Sequence, residues 1–562
     1  MSPAADAPAA PDATGAAPAA RPYLVLVIVL TAVFVQLLDV SIVNVAIPSV
    51  QTDLGASFSA VQLVLSGYQL AFACTLITAA RLGDIHGRKR LFLIGMTVFT
   101  LASAACGLAP DATTLVLARI VQGLGSGLMF PQVLAVIQVT FAPRERGKAF
   151  GVFGATIGLA TILGPLVGGV LIQLDLFGTD WRMIFLVNLP VGIAALVLAV
   201  REMPESRAPN ATRLDLPGAA LVTAGLFLLV YPLTEGRARG WPAWTWVMLA
   251  AAVPVLVAFV VLQRRKTAAR RDPLMLMTLF EDRSFRGGTL LAGVFFAGVP
   301  PFFFSLSLYL QVGLGFSALH AGLTTFPFAV GSGIASTRSA ALAERLGREV
   351  LSVGAGLLAL AMGALVVVLH AVGDDLRGWE LAPVLVVAGL GLGVFIAPLT
   401  TLVLAGIKGR EAGSASGVLS TVQQVGGALG VALIGVALFG LVGSGARAAA
   451  ADGSAGLPAR LVAAGVPAPA AEQVTGAFRD CFQRRAQSPD PSEVPPGCAP
   501  QPGPGAEVLA SAGRSATAAT WLHAVERTLL LELAIFLASL ALVRLLPRRA
   551  PAADGTPTAA AA

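Results

Sequence analysis

Charge is what this chain has least of. Asp, Glu, Lys and Arg make up 12% of its 562 residues, against 56% hydrophobic, whereas soluble domains carry about 25% charged residues. That scarcity excludes an ordinary water-soluble enzyme. The high hydrophobicity excludes a disordered chain, which needs the opposite balance. Cys74, Cys106, Cys481 and Cys498 form no CxxC pair, and His86, His320, His370 and His523 lie far apart, so no metal site is expected. No GxxxxGK[ST] occurs, because Gly147-Lys148 lacks the upstream glycine, so a P-loop ATPase is excluded and an ion gradient is the expected energy source. The formal charge is +7, but there is no long basic run, so nucleic acid is not an expected partner.

What the chain has in abundance is long apolar runs. A bilayer core takes about 20 residues of helix, and fourteen segments qualify: 23–48, 59–80, 91–109, 113–136, 148–172, 183–201, 216–234, 244–263, 287–312, 320–338, 350–371, 381–405, 415–442 and 521–545. They are numbered spans 1 to 14. Residues 1–22 are Ala/Pro-rich, with Asp6 and Asp12 and no basic start. They read as a tail before a retained first helix, not as a signal peptide. The short loops on one side hold clusters such as Arg88-Lys89-Arg90, Arg144 with Arg146 and Lys148, and Arg264-Arg265-Lys266. The short loops on the other side hold only Arg182, Arg237, Arg239 and Arg377. The positive-inside rule then places both termini in the cytoplasm.

The chain repeats itself. Ala80 to Leu91 aligns with Ala340 to Leu351 at an offset of 260, with the acid and the Gly-Arg pair in place. Gly123, Gly125 and Gly127 match Gly389, Gly391 and Gly393 at an offset of 266, and Gly147, Ala149, Gly151 and Val152 match Gly413, Ala415, Gly417 and Val418. Two homologous six-helix halves follow, and paired repeats with a site between them are the build of secondary transporters. The divisions expected are a tail 1–22, a first half 23–201, two inserted helices with loops 202–286, a second half 287–545 that includes an outer loop 443–520, and a tail 546–562.

Four places carry candidate chemistry. Asp39 lies among apolar residues of span 1, with Gln36 one turn earlier, and an acid inside a membrane helix is a candidate proton carrier. Span 4 holds Arg119, and Gln122 follows three residues later on the same face. Arg119 could instead snorkel to the surface. Between spans 2 and 3, Gly83 and Gly87 permit a tight turn. Asp84 there can accept charge-assisted bonds from a neighbouring helix end or a nearby arginine such as Arg88, closing a cytoplasmic latch. In span 5, Gly164, Pro165, Gly168 and Gly169 suit a hinge, since proline bends a helix and glycines let a neighbour slide. Glu532 in span 14 is the one acid comparable to Asp39, and it is assigned a structural or outer-surface place. Asp215 and Glu235, at the ends of span 7, are expected to be solvated. Gly123-x-Gly125 has no strand before it, so no nucleotide site is inferred.

Together these residues resemble the major facilitator superfamily, and the fourteen spans narrow the resemblance to its drug:proton antiporter branch. Gly83-Asp84-x-x-Gly87-Arg88-Lys89 resembles the loop 2–3 motif, with Ala80 for its first glycine. Arg119-x-x-Gln122-Gly123 resembles the span 4 motif, which the family associates with proton coupling. Gly164-Pro165-x-x-Gly168-Gly169 resembles the antiporter motif of span 5, with Ala160 for a usual glycine. Leu38-Asp39 through Pro48, Trp181-Arg182 through Asn188-x-Pro190, and Gly413 through Gly417 are similar to further elements of the branch. The resemblance implies a major facilitator fold, all α-helical, with two inserted helices. It implies a proton-coupled exporter of amphipathic small molecules in the cytoplasmic membrane: no enzyme, no cofactor, a monomer whose partners are substrate, protons and lipid. Span 13 lacks the acids expected of exporters of divalent cations, which favours monovalent, neutral or anionic substrates.

A dedicated exporter of one endogenous metabolite, siderophore or lipid stays open beside a multidrug pump. A nutrient symporter is disfavoured by the span 5 motif, and a membrane-bound sensor or lipid-modifying enzyme by the lack of any catalytic constellation. Within segment 443–520, Ala470 to Arg485 is a candidate amphipathic helix and Ser488 to Gly505 a loop. Cys481 and Cys498 would face the oxidising side, where they could form a disulfide or remain free.

Overall fold

A computed structural model describes residues 21–547 except positions 57, 176–177, 208–212, 237–238, 270, 272, 374–375, 408–410, 488–496 and 499–502. Lys408, Arg410, Arg237, Arg548 and Arg549 and nearly all of both tails therefore lie outside the described residues, as does the side chain of Pro165. The described residues are helical throughout, without a strand.

Twelve helices are long and apolar enough to cross a membrane. Pro143–Leu174 and Ala318–Leu346 run to 32 and 29 residues and pack in the same bundle, so the spans number fourteen. Large apolar side chains such as Leu101, Leu108, Val367 and Leu433 point outward. An apolar exterior on this scale suits lipid and not water.

Spans 1 to 8 are Pro22–Leu54, Phe58–His86, Arg88–Gly107, Ala112–Thr140, Pro143–Leu174, Asn188–Glu202 with the short turn Met183–Leu186 before it, Leu216–Glu235 and Ala243–Ala268. Spans 9 to 14 are Arg283–Phe296 continued by Val299–Leu308, Ala318–Leu346, Glu349–Val372, Ala382–Leu404, Ala412–Gly453 and Ala506–Leu542. Span 9 is broken at Ala297 and Gly298, ahead of Pro300 and Pro301, and ends in a π-turn at Tyr309–Gly313.

The repeat is visible in packing as well as in sequence. A side chain at Gly123 would strike the Tyr68 carbonyl, and one at Gly389 would strike the Phe328 carbonyl. Gly125 lies against Gly95 and Phe99 as Gly391 lies against Gly354 and Leu358, and Gly127 meets Phe72 and Thr75 as Gly393 meets Ser332 and Ala335. In both halves glycines of the fourth helix seat it backbone-to-backbone on the second and third, an approach that any Cβ would block. Spans 7 and 8 pack on each other, and span 7 also packs on spans 2 and 13. Cys74 of span 2 bonds the Thr223 carbonyl of span 7.

Segment 443–520 departs from the expected outer loop. Span 13 runs 42 residues, to Gly453, and span 14 starts at Ala506 and runs 37. At about 1.5 Å per residue both exceed the roughly 30 Å hydrocarbon core. Between them lie helices Leu457–Ala463 and Ala468–Gln487, and Leu457, Leu461, Ala471 and Ala512 form a small separate core. Apolar residues spaced along one face of Ala468–Gln487, among them Val474 and Phe478, are what fold it back onto the helix ends. Cys481 and Cys498 are joined there, 5.5 Å apart at Cα.

Candidate functional site

Two polar centres sit in the first half, one inside the bundle and one at the end that carries the loop between spans 2 and 3. At the inner centre Asp39 has no exposed surface. Its Oδ2 accepts from Arg119 Nη1 of span 4 at 2.5 Å, and its Oδ1 accepts from Gln122 Nε2 at 2.9 Å and Asn188 Nδ2 at 3.0 Å. Three helices thus converge on one carboxylate. Arg119 is committed as well: Nη1 donates to Gln122 Oε1, Nε donates to the Val64 carbonyl of span 2, and the guanidinium lies 4.2 Å from the centre of the Tyr68 ring. The arginine is therefore buried and does not snorkel.

A second ring of contacts fixes these partners. Asn188 Nδ2 also donates to Ser103 Oγ, which donates to the Phe185 carbonyl. The Tyr68 hydroxyl is 2.6 Å from Ser126 Oγ. A buried charge is tolerated only with a matched partner and filled hydrogen bonds, and here both carboxylate oxygens are engaged. Chemically, protonating Asp39 would remove the charge that holds Arg119 between spans 1 and 4.

At the loop centre, Asp84 and Arg88 are both buried and form an ion pair at 2.9 Å. The Asp84 carboxylate presses against Gly413, beside the Ser414 amide, at the start of span 13 in the second half. A helix N-terminus favours an anion through its free amides and dipole, so both partners open to Asp84 on sequence grounds are present. Gly87 turns the chain at φ +110, a conformation that side-chain-bearing residues avoid. Gly83 leaves room for Gln132, which donates to the Ala79 carbonyl. Glu205 fills the space over Gly87 and accepts from the Lys89 and Arg90 amides, capping span 3. The corresponding acid of the repeat, Glu344, is exposed, so among the described residues the contact is made in the first half alone.

Further bonds join the halves near that end. Gln138 Nε2 donates to the Leu404 carbonyl, and Ser416 Oγ to the Pro131 carbonyl. Span 5 runs along the seam. Gly164 lies against Ser41 and Ile42 of span 1, while Gly147, Gly151 and Gly158 face Ala340, Ser336 and Ser332 of span 10. Gly168 is buried, and Gly169 faces Leu319.

Asp215 and Glu235, expected to be solvated, are both buried. Asp215 pairs with Lys266 at 2.6 Å and accepts from Gln263 and the Gly218 amide, capping span 7 and tying it to span 8. Burial opposes its ionisation, but Lys266, Gln263 and Gly218 outweigh that and hold the carboxyl below its ordinary range. Glu235 accepts from Ser66 of span 2 at 2.7 Å and pairs with Arg239. Glu532 is also buried, and Oε1 accepts from Ser305. At the far end of span 1, Asp53 accepts from Arg182 and Trp181.

Among these, Asn188, Ser103 and Tyr68 were not assigned to the inner centre from sequence. Only the buried amide of Asn188 in an apolar helix offered a signal, because a polar group in lipid needs a partner.

With this geometry in place, comparison with known proteins is informative. The family model described as Major Facilitator Superfamily matches residues 29–431. The chain is 42% identical over 554 residues to the "Probable actinorhodin transporter" of Streptomyces coelicolor, covering 97% of this chain and 95% of that one. It is 39% identical over 421 residues to the puromycin resistance protein of Streptomyces alboniger, covering 74% of this chain and 82% of the other. The structure of a major facilitator superfamily proton:xylose symporter superposes with a TM-score of 0.52 at 17% identity, over 73% of this chain and 87% of that one.

Proposed function

The chain belongs to the major facilitator superfamily, and on that premise we propose that it is a proton-coupled antiporter exporting amphipathic small molecules across the cytoplasmic membrane. The observation that carries the reading is the Asp39–Arg119 pair, a buried carboxylate locked to a second helix by a bond that one proton would release. Asp39 takes up a proton from the outer side, frees Arg119 and Gln122, and loosens span 1 from spans 4 and 6. Returning the proton inward restores the three bonds and accompanies substrate binding. Asp84, Arg88, Gly83 and Gly87 form the latch, which engages span 13 when the cytoplasmic side is closed. Gly164, Pro165, Gly168 and Gly169 let span 5 shift along spans 1 and 10. Both termini are cytoplasmic, a single chain suffices, and no cofactor takes part. The halves divide at the two inserted spans.

Export of a self-made secondary metabolite is the favoured substrate class within this reading. Support comes from similarity along 97% of the chain to a protein named as a probable actinorhodin transporter and from the single carboxylate of the Asp39 centre, which gives a dication no matching pair of charges.

The test is transport in liposomes with an imposed pH gradient, using ethidium and actinorhodin as probes. Gradient-driven movement of either probe that vanishes in Asp39→Asn is the expected result. Undiminished transport by the variant would remove Asp39 from the coupling role, and movement indifferent to the gradient would overturn antiport.

A further inference from the structure

We propose that Glu532 and Ser305 form a second proton-binding site, located between spans 14 and 9, so that each half of the transporter carries its own protonatable carboxyl. The proposal deepens the antiport reading and rests on it for the transport consequence, though not for the protonation itself.

Three observations converge. First, Glu532 has no exposed surface, and among the described residues its side chain has one hydrogen bond, from Ser305 Oγ to Oε1 at 3.1 Å, and none at Oε2. An ionised carboxylate left so under-satisfied is costly to bury, whereas a carboxylic acid is far less so. Second, the contrast with Asp39 is built into the repeat. The glycine packing that equates span 4 with span 12 at an offset of 266 puts Leu385 where the first half has Arg119, and Phe328 where it has Tyr68. The position equivalent to Arg119 therefore supplies no arginine in the second half.

Third, span 9 is irregular on both sides of Ser305. The helix breaks at Ala297 and Gly298, and a π-turn begins at Tyr309. Discontinuous helices beside a buried ionisable group mark coupling-ion sites in transporters, and π-turns concentrate at functional positions.

No competing charge lies beside the pair. On the helices packed against span 14, the titratable and charged groups are Arg283, Arg286 and Tyr309 of span 9, Glu349 and His370 of span 11, Arg447 and Asp452 of span 13, Arg460 of the short helix Leu457–Ala463 and Arg544 of the turn that follows span 14. Apart from Tyr309, which lies at the π-turn, they stand toward helix ends. On span 14 itself the nearest are Glu526, which engages His370 and His523, and Arg527. None of the hydrogen bonds or ion pairs among the described residues joins any of these to Glu532. Protonation at Oε2 places the proton on the unpartnered oxygen while Oε1 keeps the Ser305 bond, and deprotonation returns it to water when the second half opens. Nothing else is exchanged.

Infrared difference spectroscopy of the full-length protein in liposomes reads the protonation directly, without any substrate. At neutral pH the spectrum is expected to show a protonated-carboxyl C=O band that Glu532→Gln removes, that shifts in Ser305→Ala, and that disappears on alkaline titration. A band unchanged by Glu532→Gln, or one that never titrates, would overturn the site. The proton-to-substrate ratio, taken from the pH gradient that just halts transport, is then expected to halve in Glu532→Gln. An unchanged ratio would overturn the second coupling proton. Failure of the antiport reading has a different signature: neither wild type nor variant responds to a gradient, while the titrating band persists.

Discussion

The Asp84 carboxylate sits against Gly413, 329 positions further along the chain, so that an acid of the first half closes on the first turn of a helix in the second. Only a residue without a side chain permits that approach. Gly413→Ala would drive a methyl group into the carboxylate, and forced overpacking of this kind costs about 1–3 kcal/mol. The closed state should therefore be depopulated roughly fivefold or more. Alkylation of a cysteine introduced at Ala80, which faces Gly417 at the same interface, should accelerate accordingly. An unchanged rate would show that this contact does not hold the halves together.

Arg119 and Asp39 should be strongly non-additive. Arg119→Ala leaves a buried carboxylate without its cation, an error that costs about 3–5 kcal/mol. Asp39→Asn removes the charge but preserves groups that Gln122 and Asn188 can bond. The double variant should recover much of the stability lost in Arg119→Ala when melting is followed in detergent. Additive losses would mean that the pair is not coupled.

The Asp215–Lys266 pair makes a pH prediction. Its carboxyl is held below the ordinary value in the fold, so its stabilisation is fully present above the unfolded carboxylate range and is lost as pH falls through the lowered folded value. Asp215→Asn should therefore melt lower than wild type at neutral pH, and the two curves should converge under acid conditions. A difference that stays constant with pH would assign the effect to packing instead of charge.

Joining Cys481 to Cys498 closes a loop with a sequence separation of 17. By loop-closure entropy a bond over this span contributes about 3 kcal/mol to the segment it closes. In non-reducing gels of protein from an oxidising compartment, neither thiol should react with maleimide until a reductant is added. Cys481→Ser should speed proteolysis in the segment between spans 13 and 14 while leaving the membrane spans protected. Immediate labelling of both thiols without reductant would show that the bond does not form.

Much of this molecule was legible from residues alone, and for a definite reason. A bilayer imposes long apolar runs, and a buried charge must be accommodated, so the spans, the repeat, and Asp39, Arg119 and Gln122 stand out before any coordinates. The glycines of spans 4 and 12 were visible for a similar reason, because close helix approach demands them at fixed spacing.

Tertiary structure decided which polar groups meet. Asn188 reaches Asp39 across 149 positions and Ser305 reaches Glu532 across 227, and no local pattern encodes such pairings. Asp215 and Glu235 read as solvated helix ends because a terminal acid looks the same whether water or a neighbouring helix faces it. Segment 443–520 read as loop because its composition is poor in large apolar residues, yet the few it has gather into a core once spans 13 and 14 extend to meet them. Sequence determined which groups are costly to bury; packing of distant helices determined what satisfies each one.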